Sequence, residues 1–217
     1  MVIRSPCGRE PWNCTLAASV DTNGLVQDPP LGTGHAVLAA EAALADFDGD
    51  VLVANGDHPL LEAHDLEPLF KLRGAGAAIA ILGFEAADPA NLYGRLIRGA
   101  DGHILRIIEE KEATPEQKAV RACNGGMYCV DRKRLFRRRH RGTNQDAKGE
   151  YYLTDIVGLA VAEEALVRAS FPPESSVVGM DSPAMLTQAE LIFQQRRRSR
   201  LLAEGVAMMA PDTVHFS

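Results

Sequence analysis

The sequence predicts an α/β protein of three layers, built on a mostly parallel sheet. Three observations carry that prediction. Two short apolar runs, Val51–Ala54 and Ala77–Phe84, read as strands buried on both faces. A helix-forming stretch, Glu62–Lys71, lies between them and is stopped by Gly74 and Gly76. A two-strand excursion follows, Tyr93–Arg98 and Ile104–Glu110, joined by the turn signal Ala100-Asp101-Gly102. Strand, helix, strand with a hairpin between is the order of a sheet covered by helices.

Composition bounds the function. Of 217 residues, 46% are hydrophobic and 24% charged, as a packed globular core requires. A net charge of −6 gives no general argument for a nucleic-acid or membrane partner. No apolar run is long enough to span a bilayer. The opening MVIRSPCGREPWNC has no apolar centre of a signal peptide. Cys7, Cys14, Cys123 and Cys129 lack C-x-x-C spacing, so they read as reduced thiols and the expected setting is the cytoplasm. Two basic clusters, Arg137–Arg141 and Arg196–Arg200, read as solvated helix faces or helix ends.

Taken in order, residues 1–24 form an irregular segment with a short strand around Thr15–Val20. The remainder, 25–217, reads as one domain. Leu25-Val26-Gln27 is a brief strand stopped by Asp28-Pro29-Pro30. Leu31-Gly32-Thr33-Gly34-His35 then opens a helix over Ala36–Ala45. A glycine loop at a helix start can bind an anion; it is equally an ordinary start with a Thr cap. Thr114 caps a short helix to Ala119, with Pro115 at its first position. Cys123–Val130 is a strand whose Gly125-Gly126 pair lets something approach closely. Asp131–His140 is a basic helix, and Thr154 or Asp155 caps another through about Glu164. Tyr151 and Tyr152 are core or pocket wall. Val177–Asp181 reads as a strand, Pro183–Glu204 as a long helix and Val206–Met209 as a last short strand.

Asp57 and Asp181 stand at the ends of predicted strands, where ligands bind in open α/β sheets. A pair of carboxylates there suits Mg²⁺, which shares oxygen ligands with substrate phosphates. Asn55-Gly56-Asp57 is also ordinary turn chemistry.

Several stretches then match one family in order: Leu31–Ala36 (LGTGHA), Asn55–Pro59 (NGDHP), Tyr93–Arg95 (YGR), Ile108–Lys111 (IEEK), Asn124–Gly126 (NGG), Gly149–Asp155 (GEYYLTD) and Gly205–Phe216. Together they closely resemble the N-terminal uridyltransferase domain of the bacterial bifunctional enzyme that makes UDP-N-acetylglucosamine. The resemblance covers roughly residues 25–217. It implies a nucleotide-diphospho-sugar transferase-like fold and transfer of UMP from UTP to N-acetylglucosamine 1-phosphate, with release of pyrophosphate. It implies Mg²⁺ on Asp57 and Asp181, a nucleotide contact at Gly32 and Thr33, and a sugar site of Gly94, Glu109, Asn124, Tyr152 and Thr154. No protein nucleophile is implied.

The departures from the family pattern are specific. Asp181 stands in place of an Asn, Pro30 in place of a Gln, and Asn55 in place of a common Tyr. Nothing in the chain matches the loop L-A-A-G-x-G-T-x-M and the Lys after it, which cradle the triphosphate in the family. The expectation is therefore an N-terminally truncated domain, with the sugar and metal side kept and the phosphate cradle lost. A non-catalytic remnant that binds a sugar phosphate weakly is the other reading. A third is transfer to another sugar 1-phosphate.

Overall fold

The computed structural model describes residues 2–3, 15–18, 23–137, 151–177 and 179–216. Three short strands, β1 (Val2–Ile3), β2 (Thr15–Ala18) and β3 (Asn23–Val26), form a small antiparallel sheet of their own. The main sheet has six strands: β4 (Asp50–Val53), β5 (Ile79–Glu85), β6 (Arg95–Arg98), β7 (Ile104–Ile108), β8 (Ala122–Asp131) and β9 (Val167–Ser170).

The sheet is mixed, not mostly parallel. β8 runs antiparallel to β4, β5 and β6, while β5 and β9 are parallel. Val51–Ala54 was expected to sit in a parallel sheet. Its strand, β4, instead pairs only with the reversed β8, residue Val51 opposite Val130. An apolar run reports burial and not the direction of its neighbour, so the sequence could not decide this.

β5 shows two-sided burial plainly. Ile79 and Ile81 join one apolar cluster, and Ala80, Leu82 and Phe84 join the other. Helix α1 (Thr33–Leu38) and helix α5 (Asp155–Ala162) supply Ala36, Val37, Ile156 and Val157 to the first cluster. Helix α2 (Ala63–Gly74) supplies Leu69 to the second. The three expected layers are therefore present. Each fully buried Leu or Ile here contributes about 1.5–3 kcal/mol of burial free energy.

The topology opens a gap. β5 covers one edge of β8 along its length, so β4 and β6 must share the other edge. β4 pairs with Tyr128–Asp131, and β6 only with Cys123. Between them lie Asn124–Met127. The register shifts there, Leu82 facing Met127 but Gly83 facing Asn124, so Gly125 and Gly126 form a bulge. Gly125 has no room for a side chain: a β-carbon would lie 2.5 Å from Val177 Cγ1 and 2.7 Å from the Leu82 carbonyl oxygen.

Other elements match the sequence reading closely. Helix α2 runs through Pro68 and is closed at its start by a reciprocal Glu62–Asp65 capping box. The short helices α3 (Pro115–Lys118) and α4 (Arg132–Leu135) are capped by Thr114 and Asp131, but α4 stops well short of the expected His140: Phe136 and Arg137 are not helical, and residues 138–140 lie outside the described residues. Gly102, at φ 78°, makes the hairpin turn between β6 and β7.

Four other expectations fail. Helix α1 ends at Leu38, well short of Ala45; from Ala39 the chain coils through i→i+3 turns such as Ala40 N–H to Val37 O. Burial of Ala40 and Leu44 shapes this stretch more than alanine's helix preference does. Val177–Asp181 is no strand: Val177 ends the short helix α6 (Glu174–Val177), and residues 179–180 are irregular. The strand in that region is β9, upstream of Pro172-Pro173. Val206–Met209 is also irregular, and its chain folds back on helix α7 (Pro183–Ala203). There the Gln194 amide donates to the Phe216 carbonyl at 2.7 Å and accepts from its N–H at 2.9 Å.

Finally, the Arg196–Arg200 cluster is no free solvated face. Arg198 is buried on Asp212 at 3.1 Å, Arg200 meets Glu62 at 2.8 Å and Arg196 donates to the Leu60 carbonyl at 2.8 Å. In the other cluster Arg137 pairs with Glu163; residues 138–141 lie outside the described residues, as do Cys7, Cys14, Gly149 and Glu150.

Candidate active site

Two cavities open at the gap between β4 and β6. The first, of about 400 Å³, is lined among others by Asn55, Asp57, His58, Tyr93, Asn124 and Asp181. Asp57 follows the end of β4. Asp181 reaches the cavity by a different route from the one expected. It comes from an irregular segment clipped to the Asp57 backbone, with the Met180 N–H donating to the Asp57 carbonyl at 2.8 Å. Ser182 next to it caps α7, its hydroxyl accepting from the Met185 N–H at 3.3 Å.

Asp57 carries opposing influences. Burial alone would push its carboxyl pKa up, but the neighbouring His58 ring outweighs burial, and the net shift is downward. His58 Nδ1 stands 2.8 Å from Asp57 Oδ1. Both atoms are buried and neither has an aligned hydrogen bond, so the contact is close but poorly directed. The Asp57 side chain remains 37% exposed. A carboxylate held charged, open to a cavity and joined there by a second carboxylate is a donor set that fits Mg²⁺. No group of three or more His, Cys, Asp or Glu side chains among the described residues could hold a metal. The remaining positions would fall to water and phosphate oxygens, as Mg²⁺ prefers.

The second cavity is lined among others by Thr33, Glu109, Asn124, Tyr128, Tyr152 and Thr154. Its wall is a seam between two distant stretches. The Gly34 N–H donates to the Tyr151 carbonyl at 2.8 Å, the Tyr151 N–H to the Leu31 carbonyl at 2.9 Å and the Leu153 N–H to the Thr33 hydroxyl at 3.0 Å. The Thr33 hydroxyl therefore holds the 151–154 segment and does not cap α1, whose cap position is Gly32. Gly32, at φ 95°, lies behind the wall: a β-carbon would stand 2.6 Å from the Tyr151 carbonyl oxygen. Thr154 occupies the cap position of α5 without a side-chain cap, and Tyr152 is 38% exposed.

Glu109 and Asn124 are positioned from beneath by Gly94. The Gly94 carbonyl accepts from the Asn124 N–H at 2.8 Å, and Glu109 Oε2 would be 3.4 Å from a β-carbon at Gly94. Arg95 fixes this corner from the core. It is fully buried, and its guanidinium donates to the carbonyls of Pro89, Asn91, Tyr93 and Lys118. Burial raises the Glu109 pKa, with the Glu112 and Asp155 charges adding to it. Burial raises Asp155 as well, and Glu112 adds to it. Neighbouring Glu110 is tied to Lys118 at 2.5 Å.

The structure thus brings Asp57 and Asp181 together on one side, and Thr33, Glu109, Asn124, Tyr152 and Thr154 on the other. Gly32 and Gly94 support the walls without lining them. Sequence reasoning quoted Asn55, His58 and Tyr93 within motifs and Gly126 as a point of close approach without giving them site roles, and it missed Tyr128. Tyr128 is buried and its hydroxyl accepts from Asn124 Nδ2 at 2.8 Å. Its position four residues after Asn124 in a bulged strand was the only signal. Gln27 was missed too: it is buried, donates to the Gly32 carbonyl at 3.0 Å and leaves its Oε1 without a partner.

Comparison with known proteins follows the same lines. A family model described as nucleotidyl transferase matches residues 7–174, beginning inside the stretch 1–24 that the motifs left out. The bifunctional protein GlmU of Caulobacter vibrioides is 53% identical over 194 residues, 89% of this chain and 42% of that protein. GlmU of Hyphomonas neptunium is 50% identical over 191 residues, 88% of this chain and 41% of that one. The chain therefore spans about two fifths of the length of these relatives. A putative glucose-1-phosphate thymidylyltransferase from Bacillus anthracis superposes with a TM-score of 0.57 at 19% identity, over 77% of this chain and 63% of that one. The CMP:2-keto-3-deoxy-manno-octonic acid synthetase complexed with CTP does so at 0.55 and 17%, over 76% and 69%. Both share the fold. Among the described residues no helix is long and apolar enough to cross a membrane.

Proposed function

From the premise that this chain belongs to the nucleotidyl transferase family, we propose that its two cavities serve transfer of UMP from UTP to N-acetylglucosamine 1-phosphate. One observation carries the reading. A carboxylate pair suited to Mg²⁺ and a set of groups suited to sugar hydroxyls line adjoining cavities that share Asn55, Asn124 and Gly126. The printed names of the curated relatives support it.

In this reading a phosphate oxygen of the sugar phosphate attacks the α-phosphorus of UTP. The new P–O bond forms, the bond to the β-phosphate bridging oxygen breaks, and pyrophosphate leaves with its electron pair. Asp57 and Asp181 would hold Mg²⁺, which when bound would neutralise charge on the phosphates. Glu109 accepts from sugar hydroxyls, and Asn124 donates to the N-acetyl carbonyl. Tyr152 and Thr154 close the ring's other side, and Thr33 carries the loop toward the nucleotide. Catalysis is positioning and charge neutralisation, with no protein nucleophile. The reduced Cys123 and Cys129 fit a cytoplasmic setting.

The sequence carries no L-A-A-G-x-G-T-x-M loop, and this supports a second reading in which the 217 residues bind the sugar phosphate weakly and do not turn it over. Loss of one such charge-stabilising element costs about 10²–10³-fold. An assay of pyrophosphate release from UTP and N-acetylglucosamine 1-phosphate separates the two. The second reading expects no release above background; the proposal expects Mg²⁺-dependent release that Asp57→Asn lowers by about 10²–10³-fold. Release unaffected by Asp57→Asn would contradict it. Faster release with another sugar 1-phosphate would move the assignment to that sugar.

A further inference from the structure

Arg196, on α7, lines neither cavity, but it joins the two stretches of chain that deliver the carboxylates to the first. One stretch runs from Asp57 to Leu60, the other from Ser176 to Asp181. They lie side by side in opposite directions. At the cavity end the Met180 N–H donates to the Asp57 carbonyl at 2.8 Å. At the far end Arg196 grips both. Its Nη1 donates to the Leu60 carbonyl at 2.8 Å, and its Nη2 donates to the hydroxyls of Ser176 at 3.1 Å and Ser175 at 3.2 Å. Leu60 and Ser176 are buried, so each arm ends on a packed residue. Residues 57–60 belong to no strand or helix, and residues 179–180 are irregular. A regular backbone ladder therefore does not set the spacing of the two stretches; the single backbone bond and the guanidinium do.

We infer that Arg196 is a positioning residue for the Asp57–Asp181 pair, its guanidinium fixing the two stretches against each other and so the spacing of the two carboxylates. The inference rests on the cation reading of that pair. Two like charges repel until a cation joins them, so a site with only two side-chain ligands depends on a scaffold that holds them in place beforehand. A planar fork suits the task, because Nη1 and Nη2 leave it at a fixed angle and place one acceptor relative to the other. A lysine ammonium is a single point on a flexible stem and does not set that spacing.

The test is Mn²⁺ binding to the full chain by electron paramagnetic resonance, with N-acetylglucosamine binding by NMR titration and the melting temperature measured alongside. Arg196→Met and Arg196→Lys should each weaken Mn²⁺ binding about tenfold, as loss of a group that orients metal ligands does, and leave the affinity for N-acetylglucosamine unchanged. The sign discriminates. Removing a positive charge would by itself favour a cation, so weaker Mn²⁺ binding in folded Arg196→Met reports lost positioning and not lost charge. Arg200→Met breaks the Glu62 pair of the same helix and touches neither stretch, so its Mn²⁺ affinity should match wild type. Ser175→Ala combined with Ser176→Ala removes the acceptors of one arm and should weaken Mn²⁺ several-fold; it carries the test if Arg196→Met melts below the measuring temperature. Unchanged Mn²⁺ affinity in these variants, full rescue by Arg196→Lys, or parallel loss of Mn²⁺ and sugar would overturn the role of Arg196 while leaving the cation site in place. A wild type whose Mn²⁺ binding is unaffected by Asp57→Asn would overturn the cation reading beneath it.

Discussion

The two cavities treat their carboxylates in opposite ways. On one side, His58 holds Asp57 below the ordinary carboxylate range despite its burial. On the other, burial and the Glu112 and Asp155 charges hold Glu109 above it. The first arrangement keeps a full negative charge in place for a cation. The second keeps a poorly solvated acceptor, which gains most from hydrogen bonds donated by a neutral polyol. One strand, β8, and one bulge serve both sides, so the difference comes from the side chains around each carboxylate and not from separate scaffolds.

The comparison can be broken one side at a time. The largest expected effect is that of Asp57→Asn on the metal side. It should lower turnover by about 10²–10³-fold and weaken Mn²⁺ binding, followed by electron paramagnetic resonance, while sugar binding in the other cavity stays within about twofold. If sugar binding fell in parallel, the two sides would not be independent. Gly125→Ala should come next and strike both sides together. Its β-carbon has to displace Val177 and the Leu82 carbonyl, and such overpacking costs about 1–3 kcal/mol, read as a lowered denaturation midpoint.

Tyr128→Phe should act on the sugar side alone. It removes one oxygen and leaves the Asn124 amide without its acceptor, for a stability loss of about 1 kcal/mol and a several-fold weaker affinity for the sugar phosphate. Unchanged affinity would show that Asn124 needs no such support.

The smallest expected effect is a gain. The folded-state pKa of Glu109 is raised, so between the ordinary glutamate pKa and the raised value the native state binds more protons than the unfolded state. Stability from this group is therefore full below that window and falls as pH rises through it. Glu109→Gln removes the penalty. It should be more stable than wild type at pH 7, and the gain should vanish near pH 4, while sugar binding is lost. Thermal melts at the two pH values check this; a gain equal at both would put its origin elsewhere.

The legibility of the sequence divides along a related line. Elements that are local in chain chemistry were readable: the Thr114 cap, the Asp101-Gly102 hairpin, the β5 run and the helix opened by LGTGHA. Several motif residues were readable as well, and the fold collects Thr33, Asp57, Glu109, Asn124, Tyr152, Thr154 and Asp181 around one gap. Direction was not readable, because β4 and β8 look alike whether parallel or antiparallel. Asp181 was expected on a strand, but Val177 ends helix α6 and an irregular segment delivers the carboxylate. Asn55 was noted only for replacing a common Tyr. Its place where the two cavities meet is shown only by the folded chain.

The claim at the centre of this account is that a cation site and a sugar site adjoin across Asn55 and Gly126. Mn²⁺ relaxation of bound N-acetylglucosamine 1-phosphate measures that relation directly. With the wild-type chain, Mn²⁺ should broaden the phosphorus resonance strongly and the acetyl methyl resonance much less, and Asp57→Asn should remove both effects. Equal broadening of the two resonances, or broadening that survives Asp57→Asn, would contradict it.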